Sequence, residues 1–329
     1  MMPCEVVTFG EAMIRLSPPG YRRLEQAQSL DLQVGGAELN TAVALARLGR
    51  SSAWVSRLTR NALGRLVSNR AREAGVSTEH IVWTNDDRVG LYFVEFGAAP
   101  RASSVLYDRK GAAIAAIRPG MIPWSTVFAG VKWFHVTGIT PALGPGAAEA
   151  THEAILAARQ AGLRVSMDLN YRSKLWSTVE AGRWMTEYLQ HCQVLITTEE
   201  DVDKVLGIKG DDYEQVARQL ASRFPLAVVA ITLRQNPLVW RNSWTAIALH
   251  EGRLLRTRTY EVEIVDRLGA GDSFAAGLIH GLLDDDPQKG LDYGVALSAL
   301  KHSVPGDLAW ITREEVEALL QGSGLRISR

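Results

Sequence analysis

From residue 5 onward, short apolar runs rich in β-branched residues alternate with longer Ala/Leu-rich stretches, and this alternation limits the possible folds more than any other feature. The runs "EVVTFG", "SAWVSRL", "KWFHVTGI", "RVSMDLN", "QVLITT" and "LAVVAITL" read as strands. The stretches "AELNTAVALARLG", "ALGRLVSNRAREAG", "AAEATHEAILAARQAG", "GRWMTEYLQHC" and "DYEQVARQLASRF" read as helices, the first two stopping at Gly49 and Gly75. Strands without a polar side need cover on both faces. The pattern therefore predicts an α/β fold with a mainly parallel central sheet between two helical layers, joined by right-handed crossovers.

One region breaks the rhythm. Residues 89–109, "VGLYFVEFGAAPRASSVLYDR", hold two strands with no room for a helix between them, which predicts an antiparallel hairpin. Alternation places Val105, Tyr107 and Arg109 on one face and Leu106 and Asp108 on the other. With residues near 12–34 the hairpin forms a small β lid. The expected organisation is one domain over 1–329 with lid excursions at about 12–34 and 89–118.

Composition narrows the function. Lys plus Arg number 36 and Asp plus Glu 36, so no global field recruits nucleic acid or an anionic membrane. The two cysteines, Cys4 and Cys192, form no CxxC, and the seven histidines form no HExxH. The start lacks a secretory pattern, and "LAVVAI" at 226–231 is far too short to span a bilayer. A cytoplasmic protein with neither nucleic-acid nor membrane partners is expected.

The chemistry concentrates in "DRLGAGDSFAAGLIHGL", residues 266–282, where a glycine turn runs into a helix behind a β-rich segment. Successive N–H groups at such a turn form an anion site suited to a phosphoryl group in transfer. Gly269, Ala270 and Gly271 supply that site, and Asp272 stands within reach of the attacking oxygen. Asp272 could equally be a simple helix cap. A dinucleotide fingerprint fits less well, because Phe274 stands where a third glycine belongs.

"GAGDSFAAGL" and, more than two hundred residues earlier, "VGGAELNTAVALARLG" resemble the two signatures of the ribokinase-like (PfkB) family of ATP-dependent sugar kinases. "LYFVEF", "VLYDR", "FHVTGITPAL", "MDLNYRSKLW" and "GDLAWIT" look most like its 2-keto-3-deoxygluconate kinases. The resemblance spans essentially the whole chain and implies a ribokinase-like three-layer sandwich. It implies that Asp272 is the catalytic base and that the amides of 269–271 hold the γ-phosphate. A carboxylate with its ordinary pKa near ~4, lowered further by a helix N-terminus, is expected to orient the hydroxyl rather than act as a strong base.

For the sugar, the resemblance implies Gly35, Gly36, Asn40, Tyr92, Tyr107, Arg109, Arg172 and Asp307, the two arginines pairing with a sugar-acid carboxylate. For ATP it implies Asn170, Thr198, Gly269 and Gly271, with Asp201 holding Mg²⁺ through water, while the Arg234 cation could pair with ATP phosphates and Thr232 could hydrogen-bond them. Three departures stand out. "ITTEED" puts Thr198 and Asp201 where the family has Asn-x-x-Glu, Arg234 replaces a common glycine, and "DRLGAGD" lacks the usual two threonines. Asp266 keeps a monovalent-cation site open, or Arg267 beside it replaces the ion. The lid's apolar face predicts a homodimer formed through the lids. A kinase for a neutral ketose such as fructose and a non-catalytic sugar-acid binder remain alternatives.

Overall fold

Val228 and Ala230 pack into one helical layer and Val229 and Ile231 into the other, which is why "LAVVAI" has no polar face. The computed structural model describes residues 4–238 and 240–322, with the side chains of 234–238 outside the description. In chain order its strands are β1 Val6–Phe9, β2 Met13–Ser17, β3 Asp31–Gly35, β4 Ser52–Val55, β5 Arg57–Thr59, β6 Val82–Thr84, β7 Leu91–Glu95 and β8 Ser104–Asp108. Then follow β9 Trp133–Thr137, β10 Arg164–Asp168, β11 Val194–Thr197, β12 Val228–Leu238, β13 Arg241–His250, β14 Arg253–Arg256 and β15 Tyr260–Glu263. The helices are α1 Ala37–Arg47, α2 Ala62–Glu73, α3 Trp124–Val127, α4 Pro145–Gln160, α5 Thr178–Leu189, α6 Glu199–Leu206, α7 Tyr213–Arg223, α8 Ala270–Leu282, α9 Pro287–Lys301 and α10 Arg313–Leu320.

The large sheet runs in the order β14-β13-β12-β11-β10-β9-β1-β4, with β15 added to β13. From β12 to β4 all neighbours are parallel, while β13, β14 and β15 form an antiparallel edge. Helices α4 to α7 bury their apolar sides on one face, and α1, α8, α9 and α10 on the other. The three-layer α/β expectation holds. A second sheet, β3-β2-β7-β8, is the lid, and β7 and β8 form the expected hairpin.

Two sequence expectations shift. "SAWVSRL" is two strands rather than one: β5 leaves the large sheet to pair with β6, and Leu58 packs with Val67 and Ala71 in a separate cluster. Helix α5 starts at Thr178 rather than 182, because Ser177 and Glu180 close a capping box there.

Candidate active site

Chain segments leaving the C-terminal ends of parallel strands converge on one edge of the sheet, where open α/β folds place ligands. Glu11 follows β1, Ile139 follows β9, Asn170 and Arg172 follow β10, and Thr198 and Asp201 follow β11. Two clefts open there. The larger, about 410 Å³, is lined by residues including Thr198, Asp201, Thr232, Arg267, Ala270 and Gly271. The smaller, about 110 Å³, lies under the lid and is lined by Gly35, Gly36, Tyr92, Tyr107, Arg109 and Asp307 among others. Both include Asn170, Arg172, Leu268, Gly269 and Asp272 in their walls.

Gly269 caps α8 with φ of 83°, a left-handed conformation, and a Cβ there would lie 2.0 Å from the Asp307 carbonyl oxygen. Ala270 N donates to Arg267 O at 3.3 Å, so that amide is already engaged in the turn. The Ser273 amide donates to Gly269 O at 2.9 Å, which leaves Gly271 and Asp272 as the first-turn donors. Asp272 is buried, and its Oδ2 accepts from Asn40 Nδ2 at 2.7 Å. Asn40 also accepts from the Gly36 amide at 3.3 Å, so it ties the entry of α1 to the carboxylate.

Burial outweighs the Asn40 hydrogen bond and the Arg172 charge, raising the Asp272 pKa to about 6. This reverses the expected depression by the helix N-terminus, because desolvation inside the joined clefts is the larger effect. Such a carboxylate is a better base near neutral pH than an ordinary one.

A second acid was not anticipated from sequence. Asp168, the last residue of β10, is pushed up to about 8 by burial and by the charges of Asp272 and Asp201. It accepts from the Asn170 amide at 3.1 Å and from Asn170 Nδ2 at 3.3 Å, with Asn170 held at φ of 41°. Only the position of "SMDLN" at a strand's C-terminal end could have marked it. Thr198 caps α6 by accepting from Asp201 N at 3.1 Å, and burial raises the Asp201 pKa as well. Thr232 donates to Thr197 O at 3.4 Å at the wall of the larger cleft. The Arg234 side chain lies outside the described part of the structure.

Beneath the lid, Tyr92 and Tyr107 are cross-strand partners with ring centroids 5.9 Å apart, and Arg109 lies over Tyr107 at 5.4 Å. Arg109 pairs with buried Glu11, a partner the sequence did not suggest. Arg109 Nε and Glu11 Oε1 are nonetheless buried without hydrogen-bond partners, one free donor and one free acceptor. Arg172 is exposed and donates to Tyr171 O at 3.1 Å.

Asp307 accepts from Tyr92 Oη at 2.6 Å and from Arg15 Nη1 at 2.8 Å. A Cβ on Gly35 would fall 2.4 Å from Asp307 Oδ2, and one on Gly36 would fall 2.0 Å from the Glu11 carbonyl oxygen, so the protein itself fills the space those glycines leave. Buried Arg15 also bridges Asp266 at 2.8 Å. Lys301 Nζ donates to Val304 O at 2.9 Å and to Asp266 O at 3.4 Å. Arg15 and Lys301 are thus fixed cations at Asp266, contacts that the local "DR" does not reveal.

The pfkB family carbohydrate kinase model matches residues 4–311. The chain belongs to the pfkB family of carbohydrate kinases. A Haloferax volcanii 2-dehydro-3-deoxygalactonokinase is 40% identical over 329 residues, 100% of both chains. A Shouchella clausii 5-dehydro-2-deoxygluconokinase is 30% identical, covering 96% of this chain and 95% of that one. The crystal structure of a Thermotoga maritima 2-dehydro-3-deoxygluconokinase superposes with a TM-score of 0.94 at 40% identity, over 97% of this chain and 100% of that one. This pfkB kinase shares their ribokinase-like architecture, and among its described residues no helix is long and apolar enough to cross a membrane.

Proposed function

We propose that this carbohydrate kinase transfers the γ-phosphate of ATP to the terminal hydroxyl of 2-keto-3-deoxygluconate. The observation that carries the reading is that Gly269 and Asp272 stand in the walls of both clefts. A nucleotide in the larger cleft and a sugar in the smaller would bring phosphorus and hydroxyl together at the start of α8. The Gly271 and Asp272 amides then face charge on the phosphoryl oxygens. Asp272 accepts the hydroxyl proton as the new P–O bond forms and the bond to ADP breaks.

The donor set suits a divalent ion. Asp168 and Asp201 are half-buried neighbours whose repulsion an Mg²⁺ ion would relieve, and these two would hold it through water. Bound there with ATP, the ion supplies neutralisation of phosphate charge. Thr198 keeps Asp201 in place from the first turn of α6.

The acidic sugar is favoured by the free Arg109 Nε, the Arg172 charge in the same cleft, and the 2-keto sugar-acid kinases at 40% identity. The Glu11–Arg109 pair favours a second reading, a neutral ketose, since it cancels one positive charge in the cleft. ADP release across gluconate-type and galactonate-type 2-keto-3-deoxy acids and fructose decides between them. A kcat/KM for fructose matching or exceeding that for the acids removes the sugar-acid reading.

The lid hairpin is proposed to close over the sugar and exclude water. Its outer face carries a cross-strand row, Leu32–Leu16–Phe93–Leu106, of which Leu106 is 60% and Leu32 38% exposed. Cover of that row by a second copy makes the expected homodimer. Leu106→Lys should sediment as a monomer, and a monomeric wild type would remove this part.

A further inference from the structure

Away from both clefts, on the outer helical layer, His152 of α4 meets Glu187 of α5 and His191 just beyond its end. Glu187 and His191 are four residues apart and share one side of the helix terminus. One potential ligand atom from each residue lies within 4.8 Å of the other two. His152 Nε2 stands 3.5 Å from Glu187 Oε1, yet it is buried and has no hydrogen-bond partner.

The surroundings hold the ring ready. His152 packs edge-on to Trp184 at 6.2 Å and tilted against Tyr188 at 6.0 Å, and those two aromatics stack at 5.5 Å. Burial, aided by the neighbouring His191 and opposed by Glu187, holds the His152 imidazole below its ordinary pKa. The neutral ring is the form that ligates a metal.

We propose that His152, Glu187 and His191 bind one transition-metal ion of the Zn²⁺ class, with the remaining position left to water. Two imidazoles select Zn²⁺, Ni²⁺ or Cu²⁺ over Mg²⁺ or Ca²⁺, which prefer all-oxygen shells. Zinc bonds of about 2.0–2.2 Å put tetrahedral ligand atoms roughly 3.4 Å apart, so the three residues need only a small contraction. Exposed Glu187 has the freedom to make it. The ion would pin α4 to α5, two helices that contribute nothing to the cleft walls.

The test uses the full chain, stripped of metal, and two probes: Co²⁺ followed by visible absorption and Zn²⁺ followed by calorimetry. Wild type should take up one equivalent more than the His152→Ala/His191→Ala variant and show ligand-field bands that the variant lacks. Removing ligands should weaken that equivalent at least a hundredfold, beyond the roughly 10- to 100-fold cost of losing an outer-shell partner. Zn²⁺ should raise the melting temperature of wild type only. Kinase activity with Mg²⁺ should match between the two, separating this ion from any at Asp168 and Asp201. Where the double variant does not fold, His191→Gln takes its place. Equal stoichiometry and affinity in the variants, or no Co²⁺ uptake by wild type at millimolar excess, overturns the proposal.

Discussion

Asn40 Nδ2 donates to Asp272 Oδ2 at 2.7 Å, joining the first turns of two helices that lie 232 residues apart in sequence. The bond favours the ionised carboxylate, while burial opposes it and sets the pKa at about 6. As a base, Asp272 must be ionised, so kcat/KM should fall tenfold per pH unit below about 6. Asn40→Ala removes a pKa-lowering contact and should move that acid limb to higher pH. Profiles from about pH 5 to 8 check this, and a limb that stays in place in the variant would separate Asp272 from the proton.

Asp272→Asn should fold, melt higher and lose turnover by about 10²- to 10⁴-fold. The sign follows from linkage. A carboxyl whose folded pKa is raised stabilises the protein below its unfolded value and loses that contribution as pH rises through about 6. At pH above 7 the buried charge is therefore a net cost, and an amide of the same shape removes it. Calorimetry that shows a lower melting temperature, or near-normal turnover, contradicts the assignment.

The small β sheet, the parallel sheet and the glycine turn into α8 were legible because each rests on local pattern: alternation in "VLYDR", unbroken apolar strands, and glycine before Asp272. What was not legible depends on burial and on long-range pairing. The raised Asp272 pKa needs the closed cleft, and the Glu11–Arg109 pair joins residues 98 apart. Nothing local marks Lys301, at the end of α9, as a lysine fully buried against Asp266. Ser56, where "SAWVSRL" breaks, carries no local signal, because the break reflects β5 finding β6 as its partner.

Lys301 bears on ion dependence. Its ammonium donates to the Val304 and Asp266 carbonyl oxygens, and Arg15 pairs with the Asp266 carboxylate. Carbonyls already facing a fixed cation have little to offer a mobile one. Turnover in potassium chloride and in tetramethylammonium chloride should therefore agree within about twofold, well under one tenfold step of 1.4 kcal/mol. Tenfold activation by potassium would place a separate ion there.

Asp168, at about 8, and Glu38, at about 7 through burial within α1, predict how the free protein responds to pH. Both folded values are raised, so both contributions are lost as pH rises through that range. The buried histidines His135, His280 and His302 have lowered values, and their effect is confined to pH below their unfolded 6.5. Melting temperature should thus fall between about pH 6.5 and 8.5. Asp168→Asn should flatten the slope, and an unchanged slope in that variant would show that Asp168 is not its source.

The lid is tied to the turn before α8 through Asp307, which takes Tyr92 on one oxygen and Arg15 on the other, while its backbone oxygen crowds Gly269. Arg15 in turn serves both Asp307 and Asp266 at 2.8 Å. The two side chains that serve Asp307 should therefore differ in a fixed order. Tyr92→Phe removes one hydrogen bond to a carboxylate that keeps its arginine, and should cost about 1.5–3 kcal/mol of stability. Arg15→Met leaves two buried carboxylates without their shared cation and should cost about 3–5 kcal/mol. Both loosen the lid over the smaller cleft, so KM for the sugar should rise while KM for the nucleotide holds. Denaturant unfolding and initial rates measure the two effects, and an equal rise in both KM values would mean that the tether shapes the whole site rather than the lid.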